Sequence, residues 1–261
     1  MKLVSDLKPY FESFLNSWPA KFNYFLNGWI LRFTEGVTAR ANSVLPMSYN
    51  GTKWTLGRDI NIVETAYKSF KLPPIFMMHD FFKPKYLEQE LIKREYVSFS
   101  PTDAMMISIN DVNFKPINEN FTYVHYSNRV NEFSKFLAKH STRSEAEQII
   151  LEELSERIFI PKKRFFIAKD QNEIIGTLMG VLDPNGFLYL ADLLVDPKYR
   201  NQNVATSLYF EALKKWAISK GVRKLWLQVE VDNKKAINFY KKFGFKKIYS
   251  YYYLKKEYKT L

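Results

Sequence analysis

The reactive and ligand-binding side chains of this 261-residue sequence concentrate in two segments, separated by one helix and one strand. The first reads Leu193-Leu194-Val195-Asp196-Pro197-Lys198-Tyr199-Arg200-Asn201-Gln202-Asn203-Val204-Ala205-Thr206. A loop that feeds a helix offers unpaired N–H groups and the positive end of the helix dipole, which is what a pyrophosphate needs. Residues 200–206 are that loop, with Arg200 adding a formal charge. Glycine usually serves in such loops because it permits positive φ and close approach of backbone to phosphate. Asn201 and Asn203 are the least costly non-glycine choices for left-handed backbone. Leu193, Leu194 and Val195 end the preceding strand, where exposed backbone groups can pair with a strand-like ligand as in β-augmentation. The second segment, Asn233-Lys-Lys-Ala236-Ile-Asn-Phe-Tyr240-Lys-Lys-Phe-Gly244-Phe245, sets Asn233, Ala236 and Tyr240 along one short helix.

Composition removes other chemistries. The chain has no cysteine, which excludes disulfides, thiolate zinc sites, iron–sulfur clusters and a cysteine nucleophile. Its three histidines, His79, His125 and His140, are scattered and joined by no motif, so no metal is expected. Lys and Arg number 39 against 27 Asp and Glu, a net +12. The excess is uneven: residues 1–119 hold 14 basic and 12 acidic residues, residues 120–261 hold 25 and 15. The basic half invites an anionic ligand. The pairs Lys214-Lys215, Lys234-Lys235, Lys241-Lys242 and Lys246-Lys247 read as a solvated surface in preference to a nucleic-acid site. Lys2, Asp6, Lys8 and Glu12 interrupt the first twenty residues, and no 18-residue apolar run exists, so a cytoplasmic protein without a membrane partner is expected.

The elements that position these residues follow from periodicity. Residues 121–124 form a strand, 127–139 and 144–158 helices, the second opened by Ser144 and Glu147 as a capping box. Residues 164–169 and 173–182 read as a hairpin, and 188–195 as a strand suited to the middle of a sheet. Val204, Leu208, Ala212, Leu213, Trp216 and Ala217 share a helical face that Gly221 is placed to end. Strand 224–231, helix 234–243 and strand 249–256 complete a mixed α/β unit. The first half repeats the plan more faintly: a helix near 3–17, strands at 28–33 and 38–47, and a helix from about 56 to 70. Sliding by 149 residues lays Ile75–Tyr96 over Lys224–Phe245, strand on strand and helix on helix. The expected fold is α/β, a mixed central sheet with flanking helices, in two tandem related domains, 1–116 and 117–261.

The two reactive segments resemble the GNAT acyltransferase superfamily, whose members move an acetyl group from acetyl-CoA to an amine. Arg200-Asn-Gln-Asn-Val-Ala205 is similar to the family's Arg/Gln-x-x-Gly-x-Gly/Ala motif, with Asn203 standing at the first glycine. Asn233, Ala236, Tyr240, Gly244 and Phe245 match the later Asn-x-x-Ala-x-x-x-Tyr-x-x-x-Gly-Phe motif. Gly28-Trp-Ile-Leu-Arg-Phe33 with Arg40-Ala-Asn-Ser-Val44 looks like the front half of a two-repeat subgroup. Residues 48–57 lack the motif spacing, so that half is expected to be a degenerate unit without the phosphate loop.

The resemblance implies an acetyl-CoA-dependent N-acetyltransferase acting on an amine by direct attack. It assigns the co-substrate to Leu193, Leu194, Val195, Arg200, Asn201, Gln202, Asn203, Val204, Ala205, Thr206, Asn233, Ala236 and Tyr240. Tyr240 aligns with the tyrosine that the family uses to protonate the departing thiolate, a phenol of ordinary pKa about 10 facing a thiol of about 8.5. The base is open. A strand glutamate of the N-terminal protein acetylases falls at Gln228, an amide that takes no proton at neutral pH. Glu230, two residues on and so on the same strand face, and Asp192, on the neighbouring strand, are the two candidates, acting directly or through water. The alternative is a non-catalytic module that binds acyl-CoA, a protein or nucleic acid through the basic half.

Overall fold

In the computed structural model the described residues are 7–258. They divide into two compact units that interleave in sequence. The first unit takes the segment ending at Pro19, then Met105–Gln228 and Lys235–Lys246; the second takes Ala20–Ala104, Val229–Lys234 and the chain from Lys247 onward. The expected division at 116/117 is linear, whereas the packing exchanges the two ends of the chain: the N-terminal helix packs with second-half strands, and the C-terminal strand with first-half strands.

The first unit is built on strands β6 (Thr122–Tyr126), β7 (Lys162–Asp170), β8 (Glu173–Leu182), β9 (Phe187–Val195) and β10 (Lys224–Glu230), hydrogen-bonded in the order β10-β9-β8-β7-β6. β6 to β9 are antiparallel neighbours, while β9 and β10 are parallel, as a strand–helix–strand crossover requires. The connecting helix α6 (Val204–Ala212) continues through a π turn at Leu213–Ala217 and ends at Gly221, whose φ of 79° only glycine adopts readily. All six residues of its predicted apolar face are buried. Helices α4 (Asn131–His140) and α5 (Glu145–Glu156) pair with each other, and α4 lies on β8 and β9. The capping box of α5 forms as expected: Glu147 N–H donates to Ser144 Oγ at 3.3 Å, and Ser144 N–H to Glu147 Oε2 at 2.7 Å.

Helix α1 (Lys8–Ser17) is held on β9 and β10 by aromatic edges and polar anchors. Tyr10 meets Phe187 edge-on at 4.9 Å, and Trp226 Nε1 donates to Ser13 Oγ at 3.0 Å. Residues 3–6 of the expected N-terminal helix lie outside the described residues. Helix α7 (Lys234–Lys242) follows β10, and Gly244, at φ 88°, ends it as predicted.

The second unit holds β1 (Phe22–Leu26), β2 (Trp29–Phe33), β3 (Val44–Leu45), β4 (Ile75–His79) and β11 (Lys246–Lys255), in that order. α2 (Leu56–Ser69) and α3 (Leu87–Lys93) pack on one face, where Trp29, Leu31, Phe33, Ile60, Val63, Tyr67 and Phe76 form a dry core. β3 and β4 are parallel, again joined by a helix. Two sequence readings need correction. The strand expected at 38–47 shrinks to Val44–Leu45, because Thr38 and Asn42 bend the preceding chain. Asn42 Oδ1 accepts from Thr34 N–H at 2.5 Å and Gly36 N–H at 3.2 Å, while Asn42 Nδ2 donates to Thr38 C=O at 2.8 Å. The longest strand, β5 (Val97–Ser108), carries no clear strand pattern in the sequence. Pro101 and the positive φ of Ser100 break its alternation.

Candidate active site

The site begins where β9 leaves its neighbours. β9 pairs with β10 only from Phe187/Lys224 to Leu190/Leu227, and the exposure of β9 changes at that point: Phe187–Leu190 are buried, Ala191–Val195 half-buried. On the other side a bulge interrupts the ladder. Met179 faces Ala191 and Thr177 faces Leu194, so β9 spends one residue more than β8 between the same two rungs. Asp192 takes up the excess at φ 51°, a left-handed conformation that aspartate tolerates. Thr177 Oγ1 donates to its carbonyl at 3.0 Å. The bulge and the parting of β10 leave the backbone of Leu193–Val195 open along the β10 side.

Beyond Val195 the chain makes the loop. Asp196 Oδ1 accepts from Lys198 N–H at 2.9 Å and fixes a single helical turn over Pro197–Tyr199. Asn201 and Asn203 then adopt φ of 63° and 60°, the backbone for which glycine would ordinarily be used. Asn203 is the residue before α6 and its side chain makes no capping bond. Among the described residues, the N–H groups of 201–206 find no protein acceptor, although Ser207 N–H returns to Asn203 C=O at 2.9 Å. Asn201, Gln202 and Asn203 are exposed beside Arg200 at the positive end of the helix, while Val204 is buried and Ala205 and Thr206 are half-buried. Asn118 braces the loop from behind, its Nδ2 donating to Gln202 C=O and its N–H to Ser207 Oγ, both at 2.9 Å. Gly176 on β8 lets α6 sit this close: a Cβ there would meet Val204 Cγ1 at 3.0 Å, Leu208 Cδ1 at 3.1 Å and Leu194 O at 3.2 Å.

Family comparison sharpens this geometry. Residues 130–245 match the acetyltransferase (GNAT) family, and residues 11–115 match the family described as "Probable histone acetyltransferase Rv0428c C-terminal". Over residues 130–245 the chain belongs to the GNAT acetyltransferase family. Its organisation is the two-repeat one. A Bacillus subtilis relative, "Uncharacterized N-acetyltransferase YobR", is 28% identical over 249 residues, covering 91% of this chain and 93% of that protein. "N-alpha-acetyltransferase 30" of Schizosaccharomyces pombe is 33% identical over 94 residues, 33% of this chain and 62% of that protein. Among solved structures, a GCN5-related N-acetyltransferase from Kribbella flavida superposes with a TM-score of 0.67 at 8% identity, over 97% of this chain and 95% of that one. A tandem GNAT protein from the clavulanic acid biosynthesis pathway gives 0.64 at 9% identity, over 82% and 75%. Those two likenesses are of fold.

In this GNAT chain Tyr240 sits on α7, its ring against Phe239 at 5.4 Å and Phe245 at 5.6 Å. The residue is half-buried, but its phenol is desolvated, and burial, with Tyr189 adding to it, pushes its pKa above the ordinary tyrosine range. It is fully protonated at neutral pH. Tyr189 is itself buried in a polar relay, accepting from Trp18 Nε1 at 2.9 Å and donating to Gln228 Oε1 at 3.3 Å. Gln228 is thus a hydrogen-bond acceptor with a partner, as its amide chemistry allows. Ala236 is half-buried one turn before Tyr240.

The two carboxylates differ in what they touch. Asp192 is 9% exposed at its side chain and ion-paired, Oδ2 to Arg129 at 3.1 Å and Oδ1 to Arg143 at 4.0 Å. Glu230 is exposed and accepts one hydrogen bond, from Ser100 Oγ at 2.6 Å. Glu230 and Asn233 fall in the short stretch 229–234 that packs with the second unit; Asn233 N–H donates to Glu230 C=O at 3.0 Å in the turn before α7. Leu193–Val195, Arg200–Thr206, Asp192, Ala236 and Tyr240 all belong to the first unit. Sequence reading missed Arg129, Thr177, Tyr189 and Trp18. None stands in a spaced motif; each acquires meaning only through the bulge or the relay it touches. Among the described residues no cluster of three or more His, Asp or Glu could hold a metal ion.

Proposed function

We propose that the chain transfers an acetyl group from acetyl-CoA to a primary amine by direct attack of the amine on the thioester. The observation that carries this reading is the succession of two features: strand backbone opened by the bulge and by the departure of β10 after Leu190, and then a loop into α6 whose N–H groups at 201–206 find no acceptor among the described residues. A pantetheine arm, which carries amides at strand-like spacing, suits Leu193, Leu194 and Val195. The pyrophosphate it ends in suits Arg200, Asn201, Gln202, Asn203, Val204, Ala205 and Thr206. Asn233 orients the turn into α7, and Ala236 keeps the first turn of that helix slim. The relatives named N-alpha-acetyltransferase favour an amine as acceptor.

The chemistry needs one base and one acid. As the amine nitrogen bonds to the carbonyl carbon, a carboxylate takes one of its protons; as the C–S bond breaks, the sulfur takes one. We assign the first role to Glu230, acting directly or through water, because Asp192 is held by Arg129 and would break a buried ion pair to accept a proton. Tyr240 takes the second. Burial keeps its phenol protonated and widens the gap to the departing thiol, so the proton moves only as negative charge develops on sulfur.

The test is calorimetric titration of the full chain with acetyl-CoA, followed by transfer assays over a panel of amines with Tyr240→Phe alongside. Binding, transfer, and a loss of turnover of roughly 10- to 10⁴-fold in the variant at nearly unchanged acetyl-CoA affinity are expected. Binding without transfer to any amine would leave the non-catalytic acyl-CoA module in its place.

A further inference from the structure

Arg129 stands in the loop before α4, with no motif around it, and is among the most deeply buried charges of the first unit. Its side chain is 2% exposed, and each of its three nitrogens has a partner. Nε donates to Ser134 Oγ at 3.1 Å, Nη2 to Gln148 Oε1 at 2.5 Å and Nη1 to Asp192 Oδ2 at 3.1 Å. The guanidinium also lies 5.0 Å from the centre of the Phe133 ring. Ser134 is on α4 and donates onward to Glu152 on α5 at 3.3 Å; Gln148 is on α5. One side chain therefore ties two helices to one residue of β9, and that residue is the one at φ 51° that makes the bulge.

A guanidinium with its planar fork is suited to this task, since three donors in fixed directions leave little freedom to whatever they hold. The bulge has two fastenings. Thr177 holds the carbonyl of Asp192 from β8, and Arg129 holds its carboxylate from α4 and α5. Arg143, at 4.0 Å from the other carboxylate oxygen, is farther and more exposed, and is the weaker third contact. Without the Arg129 fastening, an aspartate at positive φ can relax toward ordinary strand geometry, and the next three residues rotate with it, because a one-residue change of register turns a strand's groups over.

We infer that Arg129 is a positioning residue, which by locking Asp192 into the β9 bulge presents the backbone of Leu193–Val195 to the pantetheine arm. The inference rests on the co-substrate assignment above for its functional half and on the ion-pair geometry alone for its structural half. It also gives Asp192 its role: the carboxylate is a fastening point rather than a proton acceptor. Because the same guanidinium holds α4 and α5, a shift of those helices is transmitted to the strand that takes the co-substrate.

Arg129→Gln, Arg129→Lys and Thr177→Val, made in the full chain, test it with two readouts. Steady-state kinetics should show the KM for acetyl-CoA rising by about 10- to 100-fold in Arg129→Gln, with kcat at saturation within about threefold and KM for the amine little changed. Lysine, which keeps the charge and loses the fork, should recover part of the rise. Amide hydrogen exchange without ligand should quicken in the peptide covering 191–195 of Arg129→Gln. A purely structural arginine would instead lower the active fraction, reducing kcat with KM unmoved, and would speed exchange throughout the unit; either result overturns the inference. If Arg129→Gln does not fold, Thr177→Val, which removes the other fastening and leaves the charges in place, must show the same local exchange and a smaller KM rise. Local exchange changes in a parent protein that transfers no acetyl group would keep the clamp and refute the acyltransferase reading, so the two fail separately.

Discussion

Replacing Asn203 by glycine and by valine tests the proposed phosphate role of the loop. Asn203 is held at φ 60° and ψ 14°, exposed, with no capping bond from its side chain. Left-handed backbone costs an L-residue about 1–2 kcal/mol, with asparagine at the low end, and glycine relieves that cost. Glycine also gives up about 0.5–1 kcal/mol of extra chain entropy on folding, so Asn203→Gly should change stability by less than about 1 kcal/mol in either direction. Since the Asn203 side chain makes no capping bond, its removal exposes the neighbouring N–H groups and should leave acetyl-CoA affinity equal or improved. Valine is the opposite case. A β-branched residue at this φ is an outlier, and about 1–2 kcal/mol of strain appears as roughly a 5- to 30-fold weaker affinity if the loop relaxes away from its binding geometry. Isothermal titration with acetyl-CoA and thermal melting of both variants provide the numbers. A marked loss of affinity in Asn203→Gly would show that the asparagine side chain itself contacts the co-substrate, and valine behaving like asparagine would show that the left-handed backbone is not what the phosphate requires; either refutes the argument.

Three further outcomes are expected. Gly176→Ala should lower stability by about 1–3 kcal/mol in thermal melts and weaken acetyl-CoA binding, because the added Cβ presses on Val204, Leu208 and the Leu194 carbonyl between β9 and α6. Glu230→Gln should flatten the acid limb of the kcat/KM profile while Asp192→Asn leaves that limb in place; the reverse pattern would move the base to Asp192. Asp59→Asn should destabilise the protein at neutral pH, with the gap to the parent closing in acid. Burial works against the Asp59 carboxylate, but hydrogen bonds from Asn27, Tyr49 and Arg58 together hold its pKa below the ordinary range. Its contribution is therefore present above the unfolded carboxylate pKa of about 3.9 and lost as pH falls through the lower folded value, which urea titrations at several pH values will follow.

What the sequence disclosed and what it hid divide along local and non-local lines. The α6 stripe, the Ser144 capping box, the glycines after α6 and α7 and the left-handed asparagines are properties of a few adjacent residues, and each formed as its chemistry dictates. β5 was hidden because Pro101 and Ser100 interrupt the alternation that marks a strand, although Pro101 C=O still accepts from Val231 N–H at 2.8 Å. The strand expected at 38–47 looked extended in pattern, yet Asn42 spends its side chain on the backbone of Thr34, Gly36 and Thr38. The site divides the same way. Residues 200–206 were legible because helix-start chemistry is local, while the bulge at Asp192 exists only through its two rungs on β8, and Arg129 meets Asp192 across 63 positions of sequence.

The second unit repeats the strand–loop–helix order with a different charge at the start of its helix. There too a strand leads through a loop into a helix and on to a parallel strand, β3 to α2 to β4. Several of its loop donors are spent. Ser48 N–H goes to Gly28 C=O, Asn50 N–H to Asn27 C=O at 2.8 Å, and Thr52 N–H to Thr55 Oγ1 at 2.9 Å. The first turn of α2 also carries its own anion: Asp59, buried, accepts from Asn27 Nδ2 at 2.8 Å and Tyr49 OH at 2.9 Å and pairs with Arg58 at 3.0 Å. A carboxylate near a helix N-terminus takes the favourable field that a phosphate would use and repels a second negative charge. In the first unit the corresponding turn of α6 carries no acidic residue, and the donors of 201–206 are left over. The two loops thus differ in whether the helix field is neutralised from within, and that difference supports the proposal that the co-substrate lies at residues 200–206.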